Sequence, residues 1–428
     1  MNILILTNTF SPHVGGVARS VAAFADAYRE RGHQVLVVAP EFPDMPAHES
    51  GVLRVPAIQN FNASDFSVVL PLHPSLSAAV DAFVPDIVHS QHPFLLGMTA
   101  LRIARHRGLP LVFTHHTLYE RYTHYVPGDS AALKRFSVEL ATRYANLVDQ
   151  VFAPSESVRD LLRERGVATP IEVVPTGVRP EHFARGNGAA FRRKIGIPPG
   201  TWVVGHLGRL APEKNLPFLA HAVAELAARR PMVDFLVVGR GPSEAALREI
   251  FAAAGLGSRL QLAGVLQQQE LADALHALDV FAFASTSETQ GMVLTEAMAA
   301  GLPVVALDAP GVREVVRDRQ NGRLLQEATT DAFGNALHWV ASLSAEPLQR
   351  MKQAALDTAE SFSMPRAAQK ALDCFEMLHT AHASRPDADD SVWNELATAL
   401  RTEWDILKSV AGAGDAALGE SLSLEKEK

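Results

Sequence analysis

The chain of 428 residues holds one cysteine, Cys374, so no intramolecular disulfide framework can staple it and a reducing compartment is expected. It has no apolar run of about eighteen residues or more, the length a bilayer-spanning helix needs. Basic excess is also missing. Asp and Glu number 47 against 39 Lys and Arg, a net charge of −8, which argues against general nucleic-acid binding. The opening MNILILTNTF lacks a positive stretch before its apolar residues and a small-residue cleavage site, so it reads as a β-strand and not an export signal. The chain is therefore expected in the cytoplasm. No G-x-G-x-x-G joins a strand to a helix, which removes the main signature of a dinucleotide dehydrogenase.

What is present is alternation. NILIL (2–6), QVLVVAP (34–40), DIVHS (86–90), LVFTH (111–115), QVFAPS (150–155) and IEVVPTG (171–177) are short apolar runs separated by longer segments of helical period. Val, Ile and Leu without polar alternation predict strands buried on both faces, hence parallel sheets covered by helices. The pattern breaks over residues 178–200, rich in Gly, Pro and Arg, and restarts at TWVVGHLGRL (201–210). The fold class is therefore α/β, two doubly wound halves: residues 1–178 and 179–364, then a helix over 365–382 returning toward the first half. Residues 383–428 are expected to form a linker, an amphipathic helix over 391–410 and a disordered tail from about Gly412. In open sheets of this kind ligands bind beyond the carboxyl ends of the strands.

Three loops at such ends carry chemistry. NTFSPHVGGVARS sets Gly15 and Gly16 before a helix, where a backbone without side chains can approach an anion, although a tight turn would use the same glycines. GHLGRLAPEKN places Arg209 and Lys214 five apart across a turn; two cations there can neutralise a diphosphate without metal, or can be solvated surface charge. SETQGMVLTEAMAAGLPVVA has Glu288 before a helix and Glu296 within it. Amides of Gly291, Met292 and Val293 at the helix start suit phosphate oxygens, while the two carboxylates suit hydroxyls, Glu296 those of a vicinal diol such as ribose. The helix dipole alone accounts for one acidic residue near a helix start, not for the whole set.

With these residues in view, ETQGMVLTE resembles the E-x7-E signature of retaining glycosyltransferases of family 4. GHLGRLAPEKN is similar to that family's G-R-x-x-x-x-K-N segment and SPHVGGVARS to its N-terminal glycine loop, over roughly residues 1–380. The resemblance implies the GT-B fold, two Rossmann-like domains facing across a cleft, with the segment near 178–200 and the crossing near 360–365 as hinges. The first half would take the acceptor and the second the nucleotide-sugar. It implies that Arg209 and Lys214 bind the donor diphosphate, Glu296 the ribose and Glu288 the transferred sugar. Amides from Thr289 through Gly291 and Met292 to Val293 would line phosphate and sugar, and the backbone near Val265 and Leu266 would flank the base. His116, ahead of His115, would face the transferred sugar. No cofactor and no metal is implied, the donor being a substrate.

The run with Tyr119, Tyr122, His124 and Tyr125 looks like the subgroup that glucosylates diacylglycerol; aromatics with polar tips suit a mouth where lipid meets water, and also suit a loop of stacked tyrosines. The expected activity is transfer of a hexose from UDP-glucose or a similar donor to a lipid, with possible partners at the inner face of a membrane. Alternatives are a soluble acceptor, an epimerase or phosphorylase on the same fold, and a non-catalytic sugar-nucleotide sensor. Three features are set aside. DADD (387–390) imitates a metal motif in a polar linker, and His89 with His92 lacks a third ligand. The helical face of Trp393, Leu396, Leu400, Trp404 and Leu407 can meet a membrane, but docking on the protein or self-association serves it equally.

Overall fold

A computed structural model describes residues 1–13, 15–46, 49–58, 68–69, 74–121, 130–285, 288–384 and 392–418. The chain divides into two units, Met1–Thr176 with Ala367–Lys428, and Gly177–Arg366. The apolar runs become strands buried on both faces, as their lack of alternation requires.

In the first unit the order is β1 (Asn2–Leu6), α1 (Gly16–Glu30), β2 (Gln34–Pro40), β3 (Val52–Val55), the short antiparallel pair β4 (Ala57–Ile58) and β5 (Val68–Val69), α2 (Pro74–Phe83) and β6 (Ile87–Ser90). It continues with α3 (Leu96–His106), β7 (Leu111–Thr114), α4 (Ala131–Ala145), β8 (Gln150–Ala153), α5 (Glu156–Glu164) and β9 (Ile171–Val173). The main sheet is parallel in the order β3-β2-β1-β6-β7-β8-β9. Its direction of winding reverses between β1 and β6, so the loops after those strands flank the switch point where such sheets bind ligands. Leu4, Val88, Phe113, Tyr144 and Val151 form the core on the α3–α4 side.

The second unit holds α6 (Pro180–Phe183), α7 (Gly188–Lys194), β10 (Trp202–Leu207), α8 (Leu216–Arg229), β11 (Val233–Val238), α9 (Glu244–Ala253), β12 (Leu260–Gly264) and α10 (Gln268–His276). Then come β13 (Val280–Phe283), α11 (Met292–Ala299), β14 (Val304–Leu307), β15 (Gly322–Leu325), α12 (Thr330–Ala341) and α13 (Ala345–Ser361). Its parallel order is β12-β11-β10-β13-β14-β15, with the switch point between β10 and β13. Separate apolar clusters cover its two faces, one around Phe281 and Met298, the other around Phe235 and Phe333. Residues 178–200, read as a break, are part of this core: Val178, Phe183, Phe191 and Ile197 are all buried in it. Their short helices are packed through glycine. A Cβ on Gly188 would lie 2.0 Å from the His276 carbonyl oxygen, so only glycine lets α7 meet the end of α10.

The chain returns to the first unit through α14 (Met364–Ala383), whose Phe375 ring packs against Tyr28, His89 and Phe152. A last helix, α15 (Val392–Leu418), corrects the expected tail, since it runs beyond Gly412 as regular helix. Arg135 donates to the carbonyl oxygens of Ala416 (3.2 Å) and Ala417 (2.9 Å), satisfying acceptors that a helix end leaves open. The two-domain doubly wound fold and its helical C-terminal extension are as expected. The DADD segment, Tyr122, His124 and Tyr125, and the side chains of Trp393 and Leu396 lie outside the described residues.

Candidate active site

In the second unit the loops after β10 and β13 are stitched together. Asn215, in the left-handed region at φ 54°, ends the turn before α8 and donates to the Ala284 carbonyl at 3.4 Å, while Ser285 donates to that of Glu213 at 3.3 Å. Between these links Lys214 donates to Glu288 at 2.6 Å, both side chains mostly buried. Arg209, half exposed, donates to Glu213 at 2.6 Å. The structure thus brings Lys214 to Glu288 and Arg209 to Glu213, so each cation already holds a carboxylate. Glu213 was not anticipated; it sits beside Lys214 in the motif and only the turn shows that it faces Arg209.

Gly291 caps α11 at φ 71°, where a side chain would be strained, and begins the helix with Met292 and Val293 half-buried. The loop is pinned from behind: a Cβ on Gly311 would fall 2.7 Å from the Gln290 amide nitrogen, next to Thr289. Glu296 is 4 % exposed, in the second turn of α11. Amides at the start of α11 lack partners within the helix, the arrangement that favours an anion. Leu266, half-buried, packs on the core after β12. The β11 loop closes on the β10 loop through Gly239, whose Cβ would lie 1.9 Å from the Gly208 carbonyl oxygen. This close approach went unread, although the G-R-G of DFLVVGRGP was its signal.

His206, near the end of β10, was also missed. It is 1 % exposed, and its Nδ1 lies 3.1 Å from the Ala282 carbonyl, which can only accept, so Nδ1 carries the proton. Nε2 is then a buried lone pair without a partner among the described residues, and it would lie 3.7 Å from a Cβ on Gly208. Burial, offset by the Ala282 bond and adjusted by Lys214 and Glu288, lowers its pKa to about 4. It is neutral near pH 7.

In the first unit Gly15 is extended and precedes α1, and among the described residues nothing lies within 4 Å of a Cβ on Gly16. Packing therefore does not demand glycine at 16. His116 is half-buried with Nε2 2.7 Å from the Gln91 side-chain oxygen, whereas His115 is 1 % exposed and packs edge-on to Tyr119. His89 meets the Thr114 hydroxyl at 2.7 Å and His92 accepts from the Asn8 amide at 3.1 Å, so the two rings serve different partners. Desolvation lowers the pKa of His89, His92 and His115 to about 3 and of His116 to about 4. Among the described residues no three His, Cys, Asp or Glu groups form a metal cluster.

Residues 14–182 match the model of Glycosyltransferase Family 4, and residues 188–358 that of Glycosyl transferases group 1. This chain is a family 4 glycosyltransferase. The glycosyltransferase is 31 % identical over 330 residues to the alpha-monoglucosyldiacylglycerol synthase of Streptococcus pneumoniae, covering 76 % of this chain and 75 % of that one. It is 30 % identical over 359 residues to a GDP-mannose-dependent alpha-mannosyltransferase of Mycobacterium tuberculosis, covering 79 % and 88 %. Its fold is that of HepE from Anabaena, solved in complex with UDP (TM-score 0.70, 21 % identity, 88 % of this chain and all of that one). The glycosyltransferase thus transfers a sugar.

Proposed function

We propose that the glycosyltransferase moves glucose from UDP-glucose, or a similar hexose donor, to a hydroxyl of a lipid such as diacylglycerol, with retention of anomeric configuration and without metal. The observation that carries the donor assignment is the Lys214–Glu288 pair at the end of β10, beside the anion-binding start of α11. Without a diphosphate the lysine is held by a carboxylate; with one, Lys214 and Arg209 turn to phosphate, and Glu288 is released to accept from sugar hydroxyls. Glu296 takes the ribose diol, and Leu266 lies toward the base. The bond from the anomeric carbon to the β-phosphate oxygen breaks, the acceptor oxygen attacks the same face, and its proton leaves on the departing phosphate. Lys214, Arg209 and the amides of Gly291, Met292 and Val293 stabilise the developing charge in place of a cation such as Mg²⁺. In this reading His116 faces the transferred sugar and Gly15 and Gly16 approach the donor. The lipid acceptor is supported by the pneumococcal relative. The mycobacterial relative supports a second reading, the same chemistry with GDP-mannose.

The test incubates the protein with UDP-glucose, UDP-galactose and GDP-mannose, with and without diacylglycerol vesicles and with EDTA, following nucleoside-diphosphate release and product anomer. Lipid-dependent release from UDP-glucose with an α-linked product is expected. Release only with soluble acceptors would overturn the lipid reading, and loss of release in EDTA the metal-independent one.

A further inference from the structure

Helix α15 lies beyond both family matches, the second of which ends at residue 358, and its seating on the first unit is unusual for an amphipathic helix. The face turned to α3 and α4 is small and partly polar: Thr402, Ile406, Ser409 and Ala413 are the buried positions. That spacing, with steps of four, three and four, is one helical stripe. Tight seating is visible at Gly412, where a Cβ would lie 2.4 Å from the Arg143 guanidinium carbon. Two ion pairs hold the flank, Arg102 with Glu403 at 2.6 Å and Arg105 with Asp405 at 2.7 Å. The large apolar residues point the other way. Leu400, Trp404, Leu407 and Val410 are 63, 58, 59 and 42 % exposed.

We propose that this outward stripe docks the protein on an anionic lipid bilayer. The charge pattern favours that occupant. The helix places Glu403 and Asp405 against arginines of α3, while Arg401 and Lys408 stay exposed beside the stripe, Lys408 5.3 Å from the Trp404 ring. Together α3, α4 and α15 carry seven Lys and Arg against five Asp and Glu, in a chain whose net charge is −8. A tryptophan with leucines, flanked by cations, suits the headgroup–acyl boundary. A second copy is a poorer occupant, because a stable dimer takes about twenty residues from each partner and the exposed stripe offers four large side chains among the described residues. Docking through α15 also fits the acceptor side. In sequence, the helix α4 on which α15 sits comes soon after the run of Tyr119, Tyr122, His124 and Tyr125 expected to suit a lipid acceptor, so the inference gives the proposed lipid reading a surface and rests on it for its purpose.

The experiment is flotation of the full chain with phosphatidylcholine vesicles and with phosphatidylcholine–phosphatidylglycerol vesicles, with no sugar donor present. It compares the wild type with Trp404→Glu/Leu407→Glu and with Lys408→Gln, each checked for folding by circular dichroism and for mass by light scattering. The wild type is expected to float with the anionic vesicles, the double variant to lose about tenfold or more in partitioning, and Lys408→Gln to lose less and be less salt-sensitive. Equal flotation of wild type and double variant would overturn the proposal. So would a wild type that ignores vesicles, and a dimer dispersed by the double substitution would then assign the stripe to a second copy. A floating protein without lipid-dependent transfer would refute the proposed acceptor and leave docking intact.

Discussion

The two units place opposite kinds of polarity at the ends of their central strands. The first collects neutral rings: His89, His92 and His115 are buried and His116 half-buried, all with lowered pKa values. The second collects charges, in the pairs Lys214–Glu288 and Arg209–Glu213, and among the described residues has one buried histidine, His206. Both sheets have the same winding and the same kind of switch point, so the fold does not dictate the difference. The proposed reaction accounts for it: a donor diphosphate carries charge and needs cations, whereas an acceptor hydroxyl carries none and is better met by neutral hydrogen-bonding groups in low dielectric. Neutral rings and paired charges also fail differently when conditions change.

The largest expected difference is in acid. A histidine whose folded pKa is depressed costs stability wherever the unfolded chain binds a proton that the folded one refuses. Its contribution is nil above the ordinary value of 6.5 and grows as pH falls toward the folded values of about 3 to 4. Each refused proton costs at most about 3 kcal/mol at two pH units below the ordinary value, and among the described residues the first unit has four rings with folded values of about 3 to 4, besides His33, whose pKa is lowered as well, to the second unit's one. Hydrogen exchange, corrected for intrinsic rates, should show β6 and β7 losing protection between pH 6.5 and about 4 while β10 and β13 hold. Simultaneous loss in both sheets would refute the assignment of acid sensitivity to the first unit.

Next in size is removal of a cation. Lys214→Ala and Arg209→Ala should each lower kcat by roughly 10²–10³-fold, the range for loss of one preorganised charge stabiliser, with little change in urea midpoint. His116→Ala in the first unit should lower kcat less and leave nucleoside-diphosphate affinity unchanged, because a neutral ring stabilises less developing charge. Loss of folding in the lysine variant, or equal loss of affinity in the histidine variant, would break the division between donor and acceptor groups.

The same division explains what was legible beforehand. β1 and β2 occupy the residues of the apolar runs NILIL and QVLVVAP, since central parallel strands have little freedom to be anything but apolar. The loops at their ends were legible where glycine and charge sit at fixed spacing, as at Arg209, Lys214 and Gly291. Tertiary pairings were not. Nothing in the spacing says that Glu213 faces Arg209, or that His206 has a carbonyl at one nitrogen and, among the described residues, no hydrogen-bond partner at the other. Residues 178–200 looked like a joint because short helices seated through Gly188 have no apolar period to read. In α15 the apolar face was visible, but seating by Thr402, Ser409 and Ala413 depends on small size and on arginines far away in sequence.

A smaller effect compares two glycines that admit a carbonyl. A Cβ on Gly97 would lie 1.9 Å from the His92 carbonyl oxygen, and one on Gly239 would lie 1.9 Å from that of Gly208. Overpacking of this kind costs about 1–3 kcal/mol, and Gly239 adds strain through its φ of 136°. Gly97→Ala should lower the urea midpoint with little change in donor KM. Gly239→Ala should lower it too, but also raise donor KM, because the displaced backbone is the one that leads into Arg209. Equal KM values for the two variants would show that the β10 loop is not held by the β11 loop.

The smallest effect concerns helix caps. Ser155, 2 % exposed, accepts from the Val158 amide at 3.3 Å at the start of α5, and exposed Thr329 accepts from the Ala332 amide at 3.3 Å at the start of α12. The distances are the same and the surroundings are not. Removing the Ser155 hydroxyl strands a buried amide that water cannot reach, whereas water can replace the Thr329 hydroxyl. Ser155→Ala should therefore cost about 1–2 kcal/mol and Thr329→Ala under about 1 kcal/mol, measured by urea unfolding followed unit by unit. A reversed order would mean that burial of the capped amide does not set the cost, and that the dipole and first-turn acids, Glu156 in α5 and Asp331 in α12, decide it instead.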